Sequence, residues 1–94
     1  MLGEQQLQKR LRIRLAVCAY AYEFMFTALI PDSEYDRLSL EVDTSVGTDR
    51  PDLDRWFGEN FDPSTGMWVQ NHPDLERLRS IVLRILSIGE RKET

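Results

Sequence analysis

From Gln5 to Ala28 the chain contains neither Gly nor Pro, and its apolar residues recur there at helical spacing. Leu7, Leu11, Leu15, Cys18, Tyr22, Met25 and Leu29 follow one another at steps of four, four, three, four, three and four, which stacks them along one face of a helix. A second set, Ile13, Val17, Tyr20 and Phe24, widens that face, so the helix is expected to pack on more than one neighbour. Pro31 is expected to end it, because its ring removes a backbone donor and biases Ile30 away from helical geometry.

Start signals for three further helices follow. Asp32 or Ser33 is expected to cap a second helix carrying Tyr35, Leu38, Leu40 and Val42, with Ser33 and Asp36 in capping-box spacing. Arg50-Pro51-Asp52-Leu53-Asp54 and His72-Pro73-Asp74-Leu75-Glu76 each place a proline and acids where a helix begins, the acids favoured by the positive end of the helix dipole. The third helix is predicted over Pro51 to Asn60, and the last is predicted to run from Leu75 and end near Gly89. Asp62-Pro63-Ser64-Thr65-Gly66 reads as a turn between them. Residues 1–94 are therefore expected to form a single all-α domain: a helical hairpin extended by two further helices into a small four-helix domain.

Charge and composition exclude several functions. Sixteen acidic and twelve basic side chains leave a net charge of −4, so direct nucleic-acid binding is not expected. The basic cluster Lys9, Arg10, Arg12 and Arg14 reads as a solvated helix face. The apolar run from Leu15 to Ile30 is shorter than the ~20 residues a bilayer requires and carries Glu23, so no membrane span is expected. Cys18 is the only cysteine, which precludes an intramolecular disulfide and fits an inert core residue in a cytoplasmic protein.

Catalysis finds little to work with. His72 is the only histidine and stands before Pro73 at a helix start, where a capping or surface role is expected rather than that of a general base. No metal-ligand spacing and no phosphate-cradling glycine loop is present, so neither a catalytic residue nor a metal site is assigned. Most of the large apolar residues after Gly47 are expected in the core, while Trp68 and Met67, following the Pro-Ser-Thr-Gly turn, are candidates for an exposed anchor on another protein.

One segment offers recognition chemistry. If Asp32 opens the second helix, Asp32 and Asp36 share a face with Tyr35 beside them, and an aromatic of the first helix such as Tyr22 completes a site for a flat cationic ring with ribose hydroxyls. The simpler reading of the same residues is a cap, a solvated acid and two core tyrosines.

Tyr22, followed by Ile30-Pro31-Asp32-Ser33-Glu34-Tyr35-Asp36-Arg37-Leu38, resembles the N-terminal helical domain of bacterial NAD-dependent DNA ligases. That domain binds the nicotinamide mononucleotide half of NAD, through a Tyr-His pair and an I-P-D-x-E-Y-D-x-L motif. The resemblance covers residues 11–40. It implies that Tyr22 and Tyr35 contact the nicotinamide and that Asp32 and Asp36 hold its ribose or carboxamide. Two departures stand out. Glu23 occupies the position of the family's His, placing an acceptor-only anion where a nucleotide phosphate would be repelled. Neither lysine, Lys9 or Lys92, is followed by the x-Asp-Gly of the ligases' reactive K-x-D-G motif, so ligation within this chain is not expected.

Two functions follow as expectations. The first is a non-catalytic interaction module without a bound cofactor, acting on another protein such as a nucleic-acid enzyme in the manner of a phage or mobile-element inhibitor or accessory factor. The second is a module that binds nicotinamide mononucleotide or NAD and assists a ligase-like nucleotidyltransferase in trans. The broad stripe of the first helix also suits packing against a second copy, as a homo-oligomer.

Overall fold

The computed structural model describes the backbone of residues 3–92 and the side chains of residues 3–88. Four α-helices, α1 (Glu4–Met25), α2 (Asp32–Leu40), α3 (Pro51–Asn60) and α4 (Leu75–Lys92), are joined by short links, with a 3₁₀ helix at Met67–Asn71. The described residues contain no strand, so the fold is the expected small four-helix domain. No helix of the described residues is long and apolar enough to cross a membrane.

α1 is the central post. Every residue from Leu15 to Ala21 is buried, so this part of the helix is covered on all sides, by α4, by α2 and by the 3₁₀ helix. Small side chains explain how. Ala16, Ala19 and Ala21 let neighbours approach the backbone on faces that the apolar stripe leaves out. The stripe is correspondingly incomplete at its ends, where Leu7 and Tyr22 are exposed.

Pro31 does not end α1. The helix stops at Met25, where Phe26 enters the left-handed region at φ 53° and ψ 36°, and the Ala21 carbonyl accepts from the backbone N–H groups of both Phe26 and Thr27. Thr27 Oγ1 donates to the Met25 carbonyl at 3.0 Å, satisfying another terminal acceptor. A left-handed residue with a Cβ costs about 1–2 kcal/mol. The reversal returns Leu29 and Ile30 to the core, and their burial offsets that cost. Phe26 itself is 91% exposed.

α2 starts at Asp32 with Pro31 as its N-cap and no side-chain cap, so neither the Asp32 cap nor the Ser33–Asp36 box forms. Asp32 instead occupies the first turn, where its charge meets the helix dipole. α3 begins at Pro51 as expected. Gly89 does not end α4, which continues to Lys92.

Arg12 departs most from the reading of a solvated basic face. It is 4% exposed, ion-paired to Asp54 at 2.9 Å, and donates to the carbonyls of Asp43 and Val46 at 2.8 and 2.7 Å. The buried cation is tolerated because a carboxylate and two carbonyls replace its water. Lys9 and Arg14 remain at the surface, paired with Asp49 and Glu34.

A second packing centre joins α3 to the 3₁₀ helix. Trp68 is 5% exposed, with its ring centroid 5.9 Å from Trp56, 5.2 Å from Phe57 and 5.1 Å from Phe61. It is a core residue and offers no anchor to another protein. Met67, next to it on the 3₁₀ helix, faces solvent at 59% exposure.

His72 fits its expected capping role. Its Nδ1 accepts the Asp74 backbone N–H at 3.0 Å, and its ring lies edge-on to Trp56. Burial holds its pKa below the usual value of 6.5, with Asp74 opposing that shift only in part. The folded chain therefore binds this proton less readily than the unfolded chain does. The stabilisation from neutral His72 is complete above pH 6.5 and is lost as the pH falls from there through the folded-state value. Between about pH 7 and about pH 5, urea denaturation of the wild type should show a fall in stability that His72→Asn largely lacks. Parallel profiles for the two proteins would remove His72 as the cause.

Candidate functional site

The last turns of α1, the link into α2, the first turns of α2 and the Thr65-Gly66 turn enclose a pocket of about 290 Å³. Its walls are Cys18, Ala19, Tyr22 and Glu23 from α1, Ala28, Leu29 and Ile30 from the link, and Asp32, Tyr35 and Asp36 from α2. All four residues assigned to recognition in the sequence, Tyr22, Asp32, Tyr35 and Asp36, thus line one cavity. The left-handed turn at Phe26 makes this possible, because it folds the link back and sets the start of α2 beside the end of α1.

Tyr22 lies on the apolar stripe, yet it is 56% exposed and forms the outer wall. Tyr35 is half-buried and forms the inner one. Both tyrosines line the cavity, and they do not form a ring pair with each other. Tyr35 Oη is buried and has no hydrogen-bond partner. Trp68 Nε1 is likewise buried without a hydrogen-bond partner, and the Trp68 and Ser39 side chains beside the phenol act to lower its pKa. Burial raises the Tyr35 pKa above its ordinary value, and the Glu23 carboxylate adds to that rise, so the phenol stays protonated and able to donate.

Gly66 borders one corner of the pocket. A Cβ built there would lie 3.4 Å from Ala19 Cβ, 3.5 Å from Tyr35 Oη and 3.6 Å from Glu23 Oε1. The phenol and the carboxylate therefore lie around the same space in front of the Gly66 backbone, where a Cβ would sit in ordinary van der Waals contact with both. Gly66, Thr65 and Cys18 were not legible as site residues, because the first two come from a segment some 30 residues beyond the motif and Cys18 reads as core. The Cys18 thiol pKa is raised chiefly by burial, which keeps it protonated and a poor nucleophile.

The electrostatics are one-sided. Asp32 and Asp36 are exposed, four residues apart on α2, and Glu23 joins them from α1. Among the described residues none of the three carboxylates forms an ion pair, and no Lys, Arg or His lines the pocket. The nearby guanidiniums are engaged elsewhere on α2, Arg14 with Glu34 and Arg37 with Glu34 and Glu41. No group of three His, Cys, Asp or Glu side chains among the described residues is arranged to hold a metal ion. The chemistry on offer is recognition: two tyrosine side chains in the walls, acceptors for hydroxyl or amide groups, and a negative field.

A different surface runs along the seam between α1 and α4. Ile13, Val17, Ile81 and Ile85 line a shallow apolar trough rimmed by Arg10 and Arg14. Met67, the other residue considered as an anchor, belongs to neither this trough nor the pocket walls.

Comparisons of the chain with protein-family models, with curated proteins and with solved structures found no match.

Proposed function

We propose that the chain is a binding module for a nicotinamide-type ligand, a flat pyridinium ring carrying a ribose, seated between Tyr22 and Tyr35. The observation that carries this reading is that Tyr22, Asp32, Tyr35 and Asp36, separated by up to 14 positions in sequence, line one pocket. A cavity of about 290 Å³ is at the lower edge of the size of small-ligand sites and suits a ring with a sugar rather than a whole dinucleotide. Tyrosine faces attract a ring cation, and carboxylates accept from ribose hydroxyls or a carboxamide N–H. The resemblance of residues 11–40 to the ligase helical domain supports the same ligand class.

A second reading, docking of another protein, rests on the trough of α1 and α4, since exposed Ile13 and Ile85 beside Arg10 and Arg14 suit an apolar segment flanked by acids. One calorimetric titration separates the readings. Nicotinamide mononucleotide, NAD and their dephosphorylated ring nucleoside should include at least one ligand that gives saturable heat, reduced about tenfold or more in affinity by Tyr35→Ala and by Asp36→Ala. Silence from all of them at millimolar concentration would refute the pocket as a nicotinamide site and leave the trough as the working surface.

A further inference from the structure

Within the ligand class proposed above, on which this step rests, the charge inventory of the pocket discriminates between ligands of different net charge. Glu23, Asp32 and Asp36 supply three carboxylates without ion-pair partners among the described residues, while no basic side chain lines the cavity to receive a phosphate. Glu23 matters most. Its Oε1 lies beside the Gly66 backbone at the back of the pocket, near the unpartnered and buried Tyr35 Oη, so it acts where screening by water is weakest.

We infer that the pocket selects a phosphate-free pyridinium nucleoside, a net cation such as nicotinamide riboside, and rejects its 5′-phosphate and the dinucleotide. The positive ring is attracted by the carboxylates and by both tyrosine faces. A phosphate attached to the ribose is repelled by the same carboxylates, and it finds no guanidinium or ammonium to bind. Tyr35 contributes its ring to the wall while its Oη is closed off from solvent, so the selection rests on the carboxylates and not on the phenol. Neutral nicotinamide keeps the ring but loses the charge and the ribose contacts, so it binds more weakly.

Calorimetry on the intact chain with nicotinamide riboside, nicotinamide mononucleotide and nicotinamide tests this directly. The riboside should bind about tenfold or more tighter than its phosphate at low salt, a margin set by the repulsion of the phosphate. Its affinity should also fall as salt is raised, because the attraction is screened. Glu23→Gln should narrow the gap between riboside and phosphate, with circular dichroism reporting that the fold is intact. If the phosphate binds as tightly as the riboside or tighter, the charge selection is overturned while the nicotinamide site stands. Binding of neither ligand overturns both.

Discussion

Replacement of Trp68 by alanine should cost about 3–5 kcal/mol, a large share of the roughly 5–10 kcal/mol on which a domain of this size depends. The indole is 5% exposed and meets Trp56, Phe57 and Phe61 within 6 Å between ring centroids, so its removal empties the junction of α3 with the 3₁₀ helix. Surrounding rings cannot collapse into the space, because each is already held by another: Phe57 packs against Trp56 and Phe61, and Trp56 against His72. Trp68→Phe should recover roughly half of the loss, since it retains ring contacts and removes an indole N–H that has no acceptor. Urea denaturation measures both. With a slope near 1 kcal/mol per molar, the alanine variant should unfold about 3–5 M earlier. A loss below about 1 kcal/mol would place the ring at the surface and reopen the anchor reading of Trp68.

The elements that the sequence made legible are those whose signals are local. Pro51 at the first position of α3 and the acids behind it need no distant partner to specify a helix start, and that helix begins and ends where expected. The end of α1 was not legible, because its left-handed residue is Phe26 rather than the glycine that usually marks such a turn, and because Pro31 supplied a plausible but later stop. Burial of Arg12 depends on Asp54, 42 residues away, and on two loop carbonyls, so nothing in the run Lys9–Arg14 distinguishes it from its exposed neighbours.

The candidate site divides in the same way. Asp32, Tyr35 and Asp36 lie on one face of α2 by helical spacing alone, which a reading of the chain reaches without coordinates. That Tyr22 faces the cavity instead of the core follows from the reversal at Phe26, and that Glu23 and Tyr35 share a corner follows from Gly66. Both depend on how remote segments meet. The sequence singled out four candidate residues, and the packing added Glu23 to their pocket and left basic side chains out of its walls.

Asp54→Ala should destabilise the chain by about 3 kcal/mol, at the lower end of the range for breaking a buried pair because the Asp54 side chain is 18% exposed. The origin of the loss is the cation left behind. Arg12 is inserted from α1 beneath the loop that joins α2 to α3, its Nε has no partner even in the intact protein, and Asp54 supplies the only negative charge paired with it among the described residues. Asp54 also accepts from the Thr48 backbone N–H at 2.6 Å and from Thr48 Oγ1 at 2.7 Å, so the variant frees the loop at the same time. Arg12→Met keeps a side chain that fills the space but removes the charge, although it strips the Asp43 and Val46 carbonyls of their guanidinium donor. If the uncompensated cation dominates, the double variant Arg12→Met/Asp54→Ala should be more stable than the sum of the single losses predicts, with a coupling of about 1–2 kcal/mol. Additive losses would assign the cost of Asp54→Ala to the Thr48 hydrogen bonds instead.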